Sequence, residues 1–312
     1  MKDRILGIHH ITAIAGEAQR NYDFYNKVLG LRLVKKTVNF DDPGTYHFYY
    51  GNETGTPGTI LTFFPWTHVK QGMTGTGMAT EIGYSVPAGS LDFWAKRFDE
   101  RKIKHGQAAE RFGEILLPFQ DPDGLNINLI VPAKEDSRRA WETNEIKQDT
   151  AIKGFHSITL TLKDSKPTAE ILTGIFDYTL LKQEGNFYRF VTDAVENASI
   201  VDIIEEPNGK PGMGAGGTNH HVAFRVKNEE VLMAFREKIA GHGLNITPKI
   251  DRNYFFSLYF REPGGVLFEL ATDNPGFAAD EDVSELGTHL KLPAQYEPQR
   301  AKIEKILPVL NQ

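Results

Sequence analysis

Two adjacent histidine pairs, His9-His10 in "GIHHITAIAG" and His220-His221 in "NHHVAFRV", and one carboxylate, Glu269 in the apolar run "GVLFELATD", have the most chemistry to offer. Two neutral imidazoles and a carboxylate can hold a divalent cation from one side and leave the opposite positions open, the arrangement of non-haem Fe(II) oxygen chemistry. The chain contains no cysteine, so disulfides, thiolate nucleophiles and sulfur-held metals are excluded and a metal must rest on nitrogen and oxygen. Singly, each residue has a plainer reading, since a histidine at a strand end is usually a hydrogen-bonded structural group. Glu269 is harder to dismiss, because a charge within an apolar strand must be paired, bind a metal or neutralise.

The elements that must bring these groups together are read from an internal repeat. "HHITAIA", "ATEIGYSV", "HSITLTLKD" and "HHVAFRVKN" each alternate as a strand. Each precedes a helical stretch: "AQRNYDFYNKVLG", "AGSLDFWAKRFDERKI", "KPTAEILTGIFDYTLL" and "NEEVLMAFREKIAGHG". Short strands rich in aromatic and β-branched residues follow, closing on "GTILTFFP", "GLNINLIVP", "ASIVDIIEEP" and "GVLFELATD". The fold class is therefore α+β, with four βαβββ modules. One module alone would expose an apolar sheet face and must pair with another. Modules one and two occupy 1–135, modules three and four 150–275, with a polar linker at 132–150 and a tail of loop and terminal helix at 276–312.

Side chains alternate across a strand, so equivalent positions of the four modules can be compared directly. The opening strands place His10, Glu81, Ser157 and His221 in register, and the closing strands place Thr62, Asn128, Asp202 and Glu269. Pairing one with two, or three with four, never collects both imidazoles. Pairing one with four collects His10, His221 and Glu269 around Thr62, a non-ligand, while two with three leaves a cup without a metal set. The expected site is thus built by modules one and four. Alternation further predicts His9 and His220 on the opposite strand face, and Thr12 on the face of His10, where it either bonds a ligand or fills a β-branched slot.

Length and composition bound the rest. At 312 residues the chain suits two domains, and its 40% hydrophobic and 24% charged content is that of an ordinary globular protein. No apolar run approaches the ~20 residues of a membrane span, and "MKDRILGIHH" has no signal core, so a cytoplasmic protein is expected. A net charge of −6 without basic runs offers no footprint for nucleic acid. A small molecule is the expected partner, and the oligomeric state, homo-oligomer included, is left open.

The chain resembles the vicinal oxygen chelate superfamily of glyoxalases, extradiol dioxygenases and fosfomycin and bleomycin resistance proteins. The resemblance is nearest to bacterial hydroquinone-type ring-cleaving dioxygenases. It is carried by the "HHIT" opening, "GTPGT", "RFG", "GFHS", "HHVAF", "YFREPGGVLFE" and the tail "GF..DE....LG", and it spans nearly the whole length. It implies paired half-barrels around a metal, with the ligands at His10, His221 and Glu269. It implies Fe(II), with Mn(II) accepted by the same ligands, and O2 as co-substrate for cleavage of a para-diol. His9, Arg252 and Tyr259 fall at positions the family places around substrate and metal. The implied roles are hydrogen bonding or proton exchange for His9 and Tyr259, and attraction of an anionic substrate for Arg252.

Competing functions are a glyoxalase-like isomerase or thiol transferase, which wants a fourth protein ligand where this chain has Thr62, and a metal-free binder of a flat aromatic. His47 in "TYHFYYG" is either pocket or core, and Phe255, Phe256, Phe224 and Tyr46 are candidate pocket aromatics. The glycine cluster 209–217 lacks the Lys-Ser or Lys-Thr of a phosphate loop and opens into a strand, so it reads as a connection and a candidate lid.

Overall fold

A computed structural model describes residues 3–312. The first unit contains β1 (Ile8–Ala15), α1 (Ala18–Tyr22), β2 (Arg32–Val38), β3 (Tyr46–Gly51) and β4 (Ile60–Pro65), with α1 running into a π-helical turn at Asp23–Val28. The second contains β5 (Met78–Ser85), α2 (Leu91–Glu100), β6 (Ala109–Arg111), β7 (Glu114–Gln120) and β8 (Asn126–Val131). The third contains β9 (Gly154–Leu162), α3 (Lys166–Glu170) with its own π turn, β10 (Thr179–Glu184), β11 (Phe187–Val191) and β12 (Ile200–Glu205). The fourth contains β13 (Thr218–Val226), α4 (Glu229–Gly241), β14 (Ile250–Asp251), β15 (Phe255–Arg261) and β16 (Leu267–Pro275). A short terminal helix, α5 (Arg300–Ile306), closes the tail. No helix among the described residues is long and apolar enough to cross a membrane.

The strands form two curled eight-stranded sheets. One runs β14-β15-β16-β13-β1-β4-β3-β2 and the other β10-β11-β12-β9-β5-β8-β7-β6. The first joins units one and four through the antiparallel pair β1 and β13, and the second joins units two and three through β5 and β9. Each sheet takes strands from both sides of the 132–150 connection. That connection is more than a polar linker: Ala140 and Ile146 are buried in the core, and Arg138 donates to the Gly58 and Phe155 carbonyls.

Both faces of the opening strands are covered, and β1 and β9 are buried along their whole length. On β4 and β16, Phe63, Phe268 and Leu270 join the main core, while Thr62 and Glu269 face the inside of a cup. Aromatic rings fill the space beside the helices: Tyr25 lies 4.4 Å from Phe63, and Phe176 lies 4.9 Å from Phe224. Helix α4 shows the local logic. Asn228 caps it by accepting from the Val231 N–H, two glutamates follow in the first turn, and Leu232, Phe235 and Ile239 form its buried face.

The glycine cluster 209–217 is a crossing point rather than a cover over the cup. It pairs with residues 70–77: Gly72 N–H donates to the Gly216 carbonyl, and Met73 and Met213 exchange bonds of 3.0 and 2.8 Å. Two of its contacts require glycine. A Cβ on Gly75 would lie 2.4 Å from the Lys210 carbonyl oxygen, and one on Gly217, at φ +77°, would lie 1.8 Å from that of Asp123.

The cup of units two and three is filled by ion pairs. Arg111 holds Glu81 at 2.7 Å, and Asn128 donates to the same carboxylate at 3.1 Å. Arg189 grips Asp202 with two bonds of 2.9 Å and also bonds Glu114, which accepts from His156 Nε2 at 3.1 Å. Between them remains a void of about 10 Å³, at the lower limit for holding one water. Two guanidinium groups thus supply positive charge inside this cup. Replacing Arg189 by Met strands two buried carboxylates and should lower stability by about 3–5 kcal/mol in urea unfolding. A loss under about 1 kcal/mol would mean the pair behaves like a solvated one. Burial opposes ionisation of Glu114, but His156 and Arg189 outweigh it and hold its pKa at about 2. Its contribution is whole above its ordinary pKa of 4.5, is lost as pH falls through about 2, and should amount to about 3 kcal/mol in a pH series of unfolding curves.

Candidate metal centre

The four ladders of opening and closing strands share one offset. Thr62 pairs with Thr12, Asn128 with Gly83, Asp202 with Thr159 and Glu269 with Ala223, in each case two residues beyond His10, Glu81, Ser157 and His221. Every opening strand also carries a β-bulge. On β1 the pairing steps from Ile8–Phe224 to His10–Ala223, leaving His9 as the extra residue. On β13 it steps from Thr12–His221 to Ala13–Asn219, leaving His220 extra. Thr80 and His156 are the extra residues in the other sheet.

Alternation puts His9 and His220 on the opposite strand face, and the bulges bring both within reach of their neighbours: His220 joins the cavity lining and His9 does not. A bulge places two consecutive residues against one partner and re-aims the side chains. His9 Nδ1 lies 2.9 Å from His10 Nδ1, and His220 Nδ1 lies 2.8 Å from His221 Nδ1. An imidazole that offers Nε2 to a cation keeps its proton on Nδ1, so with a cation held there His10 and His221 would donate to His9 and His220. Burial, and then the neighbouring His10, push the His9 pKa well down, and burial pulls His220 to about 4. Both are therefore neutral acceptors near pH 7.

The remaining nitrogens converge. His10 Nε2 is 3.2 Å and His221 Nε2 2.8 Å from Glu269 Oε2, and the two nitrogens are 3.4 Å apart. Octahedral bonds of about 2.1 Å put neighbouring ligand atoms about 3.0 Å apart, so the triangle has the edges of one face of an octahedron. Glu269 is fully buried, and its Oε2 has no hydrogen-bond partner of sound geometry despite the nearby nitrogens. The imidazoles approach that oxygen but do not satisfy it as donors, which fits a shared cation. Burial would raise the Glu269 carboxyl; protonated imidazoles at His10 and His221 would outweigh it and hold it well below the usual carboxylate range, a countercharge that a cation would supply when both rings are neutral. Ser257 donates to the other oxygen, Oε1, and so orients the carboxylate.

The triad opens onto a cavity of about 290 Å³ walled by Phe40, His47, Phe64, Trp66, Phe255 and Tyr259. Of the four pocket aromatics expected from sequence, only Phe255 lines it; Phe224 and Tyr46 belong to the core, and Phe256 lies under Lys249. Arg252 lines the cavity beside Tyr259, 5.4 Å from its ring, with Asp41 3.9 Å away at the mouth. Burial and Glu269 push the Tyr259 phenol up, so it stays a donor. Burial pulls the Arg252 guanidinium down, but Tyr259 and Glu269 outweigh it and secure its charge. His9 stands behind His10 and away from the cavity lining, and Thr12 bonds Thr62 at 3.0 Å rather than a ligand. Sequence reading missed Ser257, Asp41 and Trp66. Ser257 was within reach of the repeat register, since it precedes Tyr259 by two residues as His47 precedes Tyr49.

Residues 7–129 and 154–270 match the Glyoxalase/Bleomycin resistance protein/Dioxygenase superfamily. The chain is 47% identical over 305 residues to MhqO of Bacillus subtilis strain 168, which is described as a ring-cleaving dioxygenase, covering 98% of this chain and 96% of that one. It is 34% identical over 306 residues to a chlorohydroquinone/hydroquinone 1,2-dioxygenase of Sphingobium indicum, covering 95% and 94%. A crystal structure of a Bacillus subtilis dioxygenase superposes with a TM-score of 0.95 at 45% identity, covering 99% of both chains. Glyoxalase I of Zea mays shares the fold, with a TM-score of 0.63 at 14% identity over 92% and 98%. The chain belongs to this superfamily.

Two substitutions probe the centre. Glu269→Gln should abolish stoichiometric metal retention, measured by elemental analysis, while circular dichroism stays that of the parent; retained metal would strike Glu269 from the ligand set. Ser257→Ala should weaken metal affinity about 10-fold in a chelator competition, the scale of loss when a ligand's supporting hydrogen bond is removed.

Proposed function

We propose that this member of the glyoxalase, bleomycin resistance and dioxygenase superfamily is a ring-cleaving dioxygenase that acts on hydroquinone-type para-diols with Fe(II), or alternatively Mn(II), held by His10, His221 and Glu269. The observation that carries this reading is the buried His10, His221 and Glu269 triangle facing an aromatic-walled cavity. Its named relatives support the substrate class. When bound, the metal supplies a Lewis-acidic centre at which a phenolate and dioxygen are held side by side, so that a three-body encounter becomes a local one.

The chain's own residues do the rest. Phe64, Trp66 and Phe255 offer ring faces to a flat substrate and keep water off it. Arg252 stays cationic and favours the ionised phenol over the neutral one. Tyr259 keeps its proton and can donate it into the cavity on the side of Glu269. His9 and His220 hold the Nδ1 protons of the two ligating imidazoles, so each Nε2 lone pair faces the cavity side. Thr62 stands where a glyoxalase-like set would want a fourth ligand, and its hydroxyl is engaged with Thr12 and His47 instead.

The test is oxygen consumption by anaerobically purified, Fe(II)-loaded protein on a panel of hydroquinones and catechols. Uptake on para-diols with loss of the ring chromophore is expected. No uptake on any ring diol with iron bound in stoichiometric amount would transfer the protein to the isomerase or binder class. Arg252→Met should raise KM for the hydroquinone about 10-fold or more, with a smaller change in kcat, the signature of lost charge attraction to substrate.

A further inference from the structure

The two halves of the metal cup repeat one another down to single side chains. On β15, Tyr259 pairs with Glu269 and Ser257 lies two residues earlier; on β3, Tyr49 pairs with Thr62 and His47 lies two residues earlier. Ser257 bonds the Glu269 carboxylate. His47 does the same for the residue at the equivalent place, its Nε2 lying 2.9 Å from Thr62 Oγ1. Unit one is therefore a copy of the ligand-bearing arrangement with Thr in place of Glu and His in place of Ser.

Thr62 is fully buried, and its hydroxyl sits between two partners, His47 Nε2 and, at 3.0 Å, Thr12 Oγ1. A hydroxyl has one proton to give and lone pairs to accept with, and both neighbours lie within hydrogen-bond distance of this one. The His47 ring is itself fixed: Nδ1 is 3.0 Å from the Tyr49 hydroxyl, and the ring lies 4.3 Å from Phe64 and 4.1 Å from Tyr49. Breaking the His47 bond would leave the buried Thr62 hydroxyl short of a partner, at a cost that favours any rotamer offering a new one. The second cup shows where such a side chain can go. There Asn128, at the position of Thr62, reaches the Glu81 carboxylate at 3.1 Å, the position of His10.

We infer that His47 is a positioning residue that pins the Thr62 hydroxyl along the strand, keeping the fourth register position of the cup from acting as a metal ligand. This rests on the reading of His10, His221 and Glu269 as a metal set. Its substance is a division of labour: Ser257 holds a ligand in, and His47 holds a non-ligand out.

The test compares full-length protein with His47→Phe, His47→Gln, Thr62→Val and the His47→Phe/Thr62→Val double variant, each loaded with Co(II) for d–d absorption and with Fe(II) for kinetics on hydroquinone. His47→Phe should keep stoichiometric Co(II) but change the intensity and position of its bands, and lower kcat about 10-fold more than it changes KM. His47→Gln, whose amide can either donate to or accept from Thr62, should restore the parent spectrum. Thr62→Val should keep that spectrum, and the double variant should match Thr62→Val, because there is no hydroxyl left to restrain. An unchanged spectrum in His47→Phe, or the same loss of kcat with and without the Thr62 hydroxyl, would overturn the inference and make His47 a wall or substrate contact. Failure of the unsubstituted protein to take up Co(II) or Fe(II) would instead overturn the metal reading itself, and this inference with it.

Discussion

A buried, ionised carboxylate facing two imidazoles is the interaction to which the rest of the molecule answers. Glu269 is fully removed from solvent, and one of its oxygens has no sound hydrogen bond from the protein. Leaving such a charge without compensation costs several kcal/mol, enough to consume much of a domain's net stability. Compensation by imidazoles alone would need protons on them, against burial that drives His221 and its neighbours His9 and His47 toward neutrality. A divalent cation resolves the conflict, since it neutralises the carboxylate and wants neutral nitrogen. The fold's bulges, the two histidine pairs and Ser257 all serve that one geometry.

The second cup meets the same problem by another route. Its register positions hold Glu81, Asn128, Ser157 and Asp202, the first carboxylate half-buried and the second buried, and the countercharge comes from Arg111 and Arg189. Even the bulge is retained: His156 lies 3.0 Å from Ser157 Oγ, as His220 lies beside His221. Comparing the cups separates what the architecture imposes from what the chemistry requires. Paired bulges and inward polar groups belong to the architecture. Two nitrogens and an oxygen on one triangular face, open to an aromatic cavity, belong to the site in units one and four.

Much of this was legible in the sequence because the repeat converts one chain into four aligned copies. His10, His221 and Glu269 emerged from register alone, and the shared two-residue offset of the ladders explains why register was enough. What escaped was set by departures from regular periodicity. Strict alternation does not foresee the contacts of His9 with His10 and of His220 with His221, because a bulge adds a residue that no hydrophobic pattern announces. The glycine cluster resembles a mobile loop in composition, yet its small residues serve close main-chain approach to residues 70–77. Phe224 and Phe255 are indistinguishable as aromatic letters, and only the curl of the sheet decides which faces the cavity. Asp41 and Trp66 sit in connections whose path no strand pattern specifies.

The strand order carries a consequence for biosynthesis. Units two and three are neighbours in the chain and in space, whereas His10 waits for a partner imidazole 211 positions further on. All strands of the arginine-filled sheet are translated before the last strands of the other sheet. Until the last unit is translated, β1 has an unpaired edge and its histidines cannot form the three-ligand set. A cation held by the three groups would therefore be captured late, once the last unit is in place, and a truncated chain would lack one of the two imidazoles and the carboxylate.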